Sequence, residues 1–233
     1  MTMNENVAIE EFRCEHCNKT FKKPGTLMNH LCEPKRRWME KDKPANRIAF
    51  IAWSKFYQQY QPRGKKKEYR DFTSSAYYGG FVKYGVYCVD VGVINPLMYV
   101  DWLLKEKVPL DNWASDRHYD RYLIEYTRLE DGMDAIKRSV ETLLKFAEED
   151  NIQLSDVLRY TNTNKICHKI ISGKISPWLL FNSTSGQYFL STLNPGQTEM
   201  VFEYINPDIW NIKFMRDQKN VKDVQNLLQQ AGI

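Results

Sequence analysis

Residues 12–32 read FRCEHCNKTFKKPGTLMNHLC, and this stretch carries the strongest structural signal in the chain of 233 residues. Two residues separate Cys14 from Cys17, and twelve separate Cys17 from His30. This spacing lets a tight cysteine knuckle and a helix meet around one tetrahedral metal ion. The stretch therefore predicts a small fold organised around a bound metal.

The apolar positions of the stretch agree with this interpretation independently of the metal ligands. Phe12 precedes the first cysteine by two positions, Phe21 follows the second by four, and Leu27 lies three before His30. With these spacings the stretch resembles a single zinc finger of the C2H2 type. The resemblance implies a ββα fold in which the three apolar side chains form a small core behind the metal.

The stretch departs from the C2H2 family at the fourth ligand, because no second histidine follows His30 and the chain continues through Pro34 and basic residues. Cys32 is the obvious substitute, but residues i and i+2 of an ideal helix point about 200° apart. The helix must therefore end or unwind at His30, and Pro34 favours such an early stop. His16 is a weaker alternative because it is confined between the two knuckle cysteines. The predicted ligands are Cys14, Cys17, His30 and Cys32.

Mixed thiolate and imidazole ligands favour one zinc ion in this site. Four protein ligands leave no open position for water, so the predicted role is structural. A segment of about 20 residues buries too little surface to fold alone, and metal binding, worth about 10–16 kcal/mol in finger peptides, would then supply its folding free energy.

Basic residues are concentrated in the first part of the chain. Residues 1–70 hold 16 Lys/Arg and 8 Asp/Glu, whereas the remainder holds 17 and 21. This asymmetry favours a phosphate-rich partner for the first part only. The predicted organisation is a zinc finger over 1–34, a basic linker over 35–47 and a helical domain over 48–233.

In the resembled family, the positions that reach base edges in the DNA major groove correspond to Lys23, Thr26 and Asn29 here. The basic tract that follows the last ligand would neutralise phosphates, and Trp38 would stack on a base or a sugar. Two alternatives stay open: the finger binds a protein, or Trp38 packs the finger onto the body of the chain. The predicted nucleic-acid contacts are Lys23, Thr26, Asn29, Lys35, Arg36, Arg37 and Trp38.

A second basic tract, Arg63-Gly64-Lys65-Lys66-Lys67, lies between two aromatic-rich segments. It would suit a phosphate contact, but the same composition is typical of a solvated turn between helices.

The body of the chain predicts a mainly α fold, an α-helical bundle with short connections. Apolar residues at helical spacing indicate an amphipathic helix over 45–60, and Asn-Pro and Ser-Pro pairs mark helix starts at 95, 176, 194 and 206. A helix over 68–89 contains Gly79-Gly80, which would mark a bend or a close helix crossing. Brief period-2 alternation at 187–191 and 200–204 leaves a small hairpin as an alternative. Further helices are predicted at 95–107, from 115, and at 133–148, 155–160, 162–171, 176–182, 186–193, 198–205 and 221–230.

The sequence contains no phosphate-binding loop of the Walker type, no dinucleotide fingerprint and no G-x-S-x-G elbow, so we expect no enzymatic activity. The alternative is a metal-dependent nuclease using Asp116, His118, Asp120 and Glu125. On a helix, however, Asp116 and Asp120 share a face while His118 points elsewhere.

Five cysteines cannot all pair, and the cluster of three near the N-terminus fits a metal site in a reducing compartment. Cys88 and Cys167 are interpreted as buried small hydrophobic residues. No long apolar run predicts a membrane span, and the acidic start of the chain does not fit a secretory signal. We therefore expect a cytoplasmic protein with no membrane partner.

The Lys-, Asn- and Tyr-rich style of the chain resembles the accessory proteins of large T4-like tailed phages. The resemblance implies a location in the host cytoplasm and a role in DNA replication, recombination or transcription control. The sequence thus predicts a zinc-finger nucleic-acid-binding accessory protein, with DNA as the expected nucleic acid and a replication or transcription protein as a further partner. The alternatives are an adaptor whose finger binds a polymerase or another protein, and the nuclease.

Overall fold

The computed structural model describes residues 11–233, and the chain divides into two units between Ser115 and Asp116. The acidic start on which the expectation of no secretory signal rests lies mostly outside the described residues, as do the first ten residues of the predicted domain 1–34. The predicted boundaries at 34 and 47 do not coincide with this division and stay predictions.

The first unit begins with a two-stranded antiparallel ribbon and continues as helices. Several helices begin with a proline in the first turn, where its missing N–H is not needed. A 3-10 turn, Leu110–Asn112, follows the last of them. The elements are β1 (Phe12–Arg13), β2 (Thr20–Phe21), α1 (Pro24–Met28), α2 (Glu33–Met39), α3 (Pro44–Tyr60), α4 (Tyr69–Thr73), α5 (Tyr78–Val91) and α6 (Pro96–Lys105).

Helices α3 and α5 form the core of the first unit. The amphipathic helix predicted over 45–60 is confirmed as α3, which buries Ala49, Ala52 and Trp53. The two helices approach so closely at Gly85 that an added Cβ would lie 2.0 Å from the carbonyl oxygen of Ala45. The close crossing predicted at Gly79-Gly80 is therefore found one and a half turns later along the same helix.

The single helix predicted over 68–89 is wrong, because the chain is broken between α4 and α5. At the break the Ser75 hydroxyl accepts hydrogen bonds from the Tyr77 backbone N–H at 3.1 Å and from the Trp53 indole at 3.2 Å. A serine side chain that bonds the nearby backbone competes with helical hydrogen bonding. The helical spacing of apolar residues in the sequence gives no sign of this competition.

We expect Gly85→Ala to lower the free energy of unfolding of the first unit by about 3 kcal/mol, because the new methyl group meets backbone rather than a side chain that can move. Gly79→Ala in the same helix is the matched control, since a Cβ there has open space and should leave stability unchanged or raise it by up to about 1 kcal/mol. Urea denaturation of both variants checks this. Equal stability of the two would contradict the close crossing.

The second unit consists of short helices, several of them capped by the side chain of Ser, Asp or Asn. The predicted helix starts at 176, 194 and 206 are confirmed, and both segments proposed as a hairpin are helical. The helix over 207–216 was not predicted, apart from its Asn-Pro start at 206. The helices are α7 (Asp116–Leu129), α8 (Gly132–Asp150), α9 (Val157–Tyr160), α10 (Thr163–Ile171), α11 (Pro177–Asn182), α12 (Thr184–Thr192), α13 (Pro195–Ile205), α14 (Pro207–Arg216) and α15 (Gln218–Gln230).

A buried ion pair lies at the centre of the second unit. The Glu130 side chain is 1% exposed and lies 2.7 Å from the Arg138 guanidinium. The Ser176 hydroxyl donates to the same carboxylate at 3.1 Å, and Arg138 also donates to the carbonyl of Gly173. Burial raises the pKa of Glu130, and Arg138 opposes this effect by its charge and its hydrogen bond.

Arg138→Met should destabilise the second unit by about 3–5 kcal/mol near neutral pH, because it leaves a buried carboxylate unpaired. The folded state already holds the Glu130 proton more tightly than the unfolded chain does, so this group lowers stability as pH rises through the window between its unfolded and folded pKa values. Removing Arg138 raises the folded-state pKa of Glu130 further, so the pH window extends upward. The loss of stability relative to the wild type should therefore be larger at about pH 7.5 than at about pH 5. Thermal unfolding at both pH values measures this, with the exposed Arg216→Met as control; an equal deficit at both would refute it.

The predicted mainly α class is confirmed, with a small two-stranded ribbon confined to the N-terminal part of the described chain. Within residues 11–233, no helix combines the length and apolar character that crossing a membrane requires.

Candidate metal centre

The ribbon forms a tight knuckle around the first two cysteines. Phe12 pairs with Phe21 across β1 and β2, and the Cys14 N–H donates to the carbonyl of Lys19 at 2.9 Å. The Asn18 N–H in turn donates to the carbonyl of Cys14 at 2.9 Å. Asn18 adopts a left-handed backbone conformation with φ of 60°, which asparagine tolerates better than most residues. The knuckle thus fixes Cys14 and Cys17 in one short turn.

Helix α1 ends at Met28, before either of the remaining ligands. Asn29 caps it, and the His30 N–H donates to the carbonyl of Leu27 at 3.1 Å, as in a final tightened turn. Cys32 is in extended conformation, with φ of −80° and ψ of 162°. The prediction that the helix stops so that Cys32 can turn back is confirmed.

The role predicted for Pro34 is corrected by the structure. Pro34 occupies the first turn of α2, and Glu33 before it is already helical. The proline therefore begins the next helix, where it needs no N–H, rather than ending α1. Cys32 caps the N-terminus of α2, so the last ligand stands at the junction of two helices.

The four predicted ligands meet at one point. The thiols of Cys14, Cys17 and Cys32 and the imidazole of His30 each offer one ligand atom, and these atoms all lie within 4.8 Å of one another. The Sγ atoms of Cys14 and Cys32 are 3.9 Å apart, and Cys17 Sγ lies 3.2 Å from His30 Nε2.

The separation of the Cys14 and Cys32 sulfurs matches the edge of a tetrahedron around a metal ion, whereas the separation of Cys17 Sγ from His30 Nε2 is somewhat shorter than such an edge. Bond lengths of about 2.3 Å to sulfur and about 2.05 Å to nitrogen give edges of about 3.8 Å between two sulfurs and about 3.6 Å between sulfur and nitrogen. The sulfur separation is far longer than the roughly 2.05 Å of a disulfide, and all three cysteines are free thiols. The group can hold one metal ion and fits a small zinc-binding motif.

The thiols of the group influence each other's ionisation. Burial raises the pKa of Cys14, but hydrogen bonds from the backbone of Cys17 and His16 and contacts with the other thiols outweigh it and leave that pKa lowered. Burial raises the pKa of Cys32, and the nearby Cys17 and Cys14 thiols raise it further. Neighbouring thiolates disfavour each other unless a cation lies between them.

His16 does not belong to the ligand group. Its ring centroid lies 5.8 Å from that of Trp38, and its Nδ1 is buried without a hydrogen-bond partner among residues 11–233. The prediction that His16 is the weaker ligand candidate agrees with this position, because the ring faces the helical part of the unit instead of the thiols.

Helix α2 docks this small motif onto α4 and α5. Trp38 lies between His16 and Tyr69, with its ring centroid 5.8 Å from each. Arg37 donates to the carbonyl of Thr73 at 2.8 Å and stacks 4.2 Å from the ring centroid of Tyr78. These contacts agree with the alternative in which Trp38 packs the finger onto the body of the chain.

The remaining predicted nucleic-acid contacts differ in accessibility. Lys23 caps the start of α1, Thr26 lies within it and Asn29 caps its end, and all three are exposed. Arg36 is exposed, whereas the Lys35 ammonium donates to the carbonyl of His30 at 3.1 Å. Lys35 and Arg37 thus bind backbone carbonyls, while Lys23 and Arg36 face solvent.

These intramolecular contacts were not predicted from the sequence. The ion pair between Glu15 and Arg70, whose carboxylate and guanidinium lie 3.4 Å apart, was not predicted either. Basic residues in a tract look alike in sequence whether they face phosphate or a carbonyl. The available signal was the aromatic pair of Trp38 and Tyr69, which predicts a packing surface.

The residues proposed for a nuclease do not come together. Among residues 11–233, the Cys3His group is the one cluster of three or more His, Cys, Asp or Glu ligands suited to a metal ion. Asp116, His118 and Asp120 follow one another along α7 without forming a second cluster. The alternative of a metal-dependent nuclease stays a prediction, without a metal cluster at these residues in the described part of the chain.

Comparison with known proteins gives one finding. Residues 11–32 match the family model described as the Teflon C-terminal domain, which covers the knuckle, α1 and all four ligands. Searches of curated proteins and of solved structures found no match. The similarity thus concerns the metal-binding motif alone.

Thiol reactivity should separate the two kinds of cysteine. We expect the metal-loaded protein to resist a thiol reagent, a chelator to make Cys14, Cys17 and Cys32 reactive, and Cys88 and Cys167 to react only after denaturation. Burial raises the pKa of Cys88 to about 12 and also raises that of Cys167, so neither forms thiolate near neutral pH.

Mass spectrometry of the alkylated peptides checks this expectation, and Cys88→Ser is the control that should leave the chelator-dependent labelling unchanged. Labelling of the three site cysteines that is the same with and without chelator would contradict a metal held by these thiols.

Proposed function

We propose that the chain is a zinc-dependent nucleic-acid-binding accessory protein that acts by binding rather than by catalysis. The metal ion folds the N-terminal motif, and the motif presents basic side chains to a phosphate backbone. The proposal places the protein in the cytoplasm, where reducing conditions keep the three site thiols free. DNA replication, recombination or transcription control is the setting we propose, following the resemblance to phage accessory proteins.

The observation that carries the proposal is the Cys3His group fixed beside exposed cations. Lys22, Lys23 and Arg36 are exposed around the group, and the part of the chain before residue 71 has twice as many basic as acidic residues. Phosphate contacts by such residues supply most of the affinity of non-specific nucleic-acid binding.

Zinc is the metal we propose because three thiolates and one imidazole are its usual structural ligands. When bound, the ion would supply charge and fixed geometry. The four side chains Cys14, Cys17, His30 and Cys32 would complete a tetrahedral shell around the ion, which would leave no position for a substrate. This supports the proposal that the protein is not an enzyme.

An adaptor that binds a protein is the second candidate, and a specific observation favours it. Met28, Leu31 and Met39 are 78%, 57% and 69% exposed. Met28 ends α1, Leu31 lies between His30 and Cys32, and Met39 ends α2. Methionine-rich apolar surfaces are common where proteins bind partner helices. A polymerase or another replication or transcription protein would be such a partner.

A salt-dependent binding titration distinguishes the two candidates. We expect the zinc-loaded protein to bind DNA with an affinity that falls steeply with salt, and Lys23→Gln/Arg36→Gln to weaken binding about 10-fold or more at about 0.1 M salt. These two residues are chosen because Lys35 and Arg37 have structural contacts whose loss would confuse the result. Cys14→Ser should abolish the zinc content and weaken binding as well.

The matched control is Lys219→Gln/Lys222→Gln, which removes two exposed lysines from α15 of the other unit and should leave the affinity unchanged. Zinc binding without any nucleic-acid binding would reject the first candidate in favour of the adaptor. A protein that contains no zinc would reject both.

A further inference from the structure

Two neighbouring cavities of the first unit share the side chains of Tyr57 and Lys67. The first, of about 480 Å³, lies between α3 and the loop that follows it. The second, of about 400 Å³, lies between the start of α4, the start of α5 and the metal-binding knuckle. Because Tyr57 and Lys67 line both, the cavities are adjacent, and we call the pair the α3–α4 groove.

Positive charge is concentrated at the first cavity. Lys65, Lys66 and Lys67 all line it, and its lining includes no Asp or Glu. Lys65 and Lys66 are exposed, and in the part of the chain that the structure describes neither takes part in an ion pair. Three adjacent ammonium groups without a carboxylate attract a polyanion such as a phosphate backbone.

An aromatic side chain lies directly beside this charge. Tyr57 is half-buried, and the Lys67 ammonium lies 5.5 Å from the centroid of its ring. Trp53 supports the ring from behind with an edge contact of 4.9 Å between centroids. A rigidly held aromatic face next to cations is the combination that single-stranded nucleic acids use for stacking and phosphate contact.

The far end of the groove reaches the metal centre. Glu15, His16 and Asn18 of the knuckle line the second cavity, opposite Arg70 and Tyr77. The ion pair between Glu15 and Arg70 balances the charge there, so the groove is basic at one end and nearly neutral at the other. The wall formed by the knuckle depends on the fold that the metal stabilises.

We propose that the α3–α4 groove is a binding site for single-stranded nucleic acid, with backbone phosphates on Lys65, Lys66 and Lys67 and a base on Tyr57. The site is separate from Lys23 and Arg36, the cations that the proposed function uses. It rests on the proposed function because its ligand is also a nucleic acid. A concave cavity admits an unpaired base, whereas a duplex keeps its bases stacked inside the helix. Single-stranded DNA and RNA share this chemistry.

The test is fluorescence anisotropy of the zinc-loaded full chain with labelled oligothymidylate of about 15 nucleotides. We expect Lys65→Gln/Lys66→Gln to weaken binding about 10- to 25-fold at about 0.1 M salt and to lower the slope of log affinity against log salt by about 1.4. Tyr57→Leu should weaken it about fivefold or more, whereas Tyr57→Phe, which keeps the ring, should stay within about twofold. The control Lys219→Gln/Lys222→Gln should bind like the wild type.

Parallel titrations use oligouridylate, a DNA duplex of equal length and polyglutamate. Weaker binding of the duplex supports the proposal, and the ratio of oligouridylate to oligothymidylate affinity identifies RNA or DNA as the better ligand. Equal binding of the duplex, or competition by polyglutamate at equal charge, would overturn it in favour of a general polyanion surface. Thermal unfolding of each variant verifies that the fold is intact.

Two outcomes separate this inference from the proposed function. Sensitivity to Lys23→Gln/Arg36→Gln together with insensitivity to Lys65→Gln/Lys66→Gln would overturn the groove and leave the proposed function standing. Failure of the wild type to bind any of the nucleic acids would overturn both.

Discussion

Three thiols and one imidazole converge at the N-terminal ribbon, and a shared cation is what makes such a convergence stable. Thiolates at these separations repel one another, and residues 11–32 have only half-buried apolar side chains, Phe12, Phe21 and Leu27, with which to hold them together. Segments of this size without metal or disulfides do not bury enough apolar surface to fold. A bound metal ion would therefore supply the folding free energy that the small apolar core does not.

The ligand group also affects the helix that follows it, because the last ligand lies directly before α2. Cys32 is at once the last candidate ligand and the residue at the N-cap position of α2, where its side chain makes no capping hydrogen bond. Helix α2 carries Arg37 and Trp38 into the contacts with Thr73, Tyr78 and Tyr69. A metal ion held by Cys32 would therefore also fix the backbone from which α2 begins. The finger is thus integrated into the first unit, in contrast to a finger joined by a flexible linker.

The ligand set and most helices were predictable because each has a periodic or spaced signature. The cysteine and histidine spacing identified the metal group, and Asn-Pro and Ser-Pro pairs identified helix starts. The break between α4 and α5 was not predictable, since it depends on what the Ser75 hydroxyl contacts in the folded state. A close approach does occur at Gly80, where an added Cβ would lie 2.8 Å from Leu110 Cδ2, but the close approach of two helix backbones is at Gly85. Spacing alone does not say which glycine faces the backbone of another helix. Whether a basic residue faces solvent, as Arg36 does, or a carbonyl, as Arg37 does, is likewise decided by tertiary contacts.

X-ray absorption at the zinc edge of the purified full chain would determine whether one zinc ion is held by Cys14, Cys17, His30 and Cys32. We expect a coordination shell of three sulfur atoms at about 2.3 Å and one imidazole nitrogen at about 2.05 Å, with one sulfur lost in Cys32→Ala. A shell of two sulfurs and two nitrogens that is unchanged in Cys32→Ala would show instead that His16 replaces Cys32 as the fourth ligand.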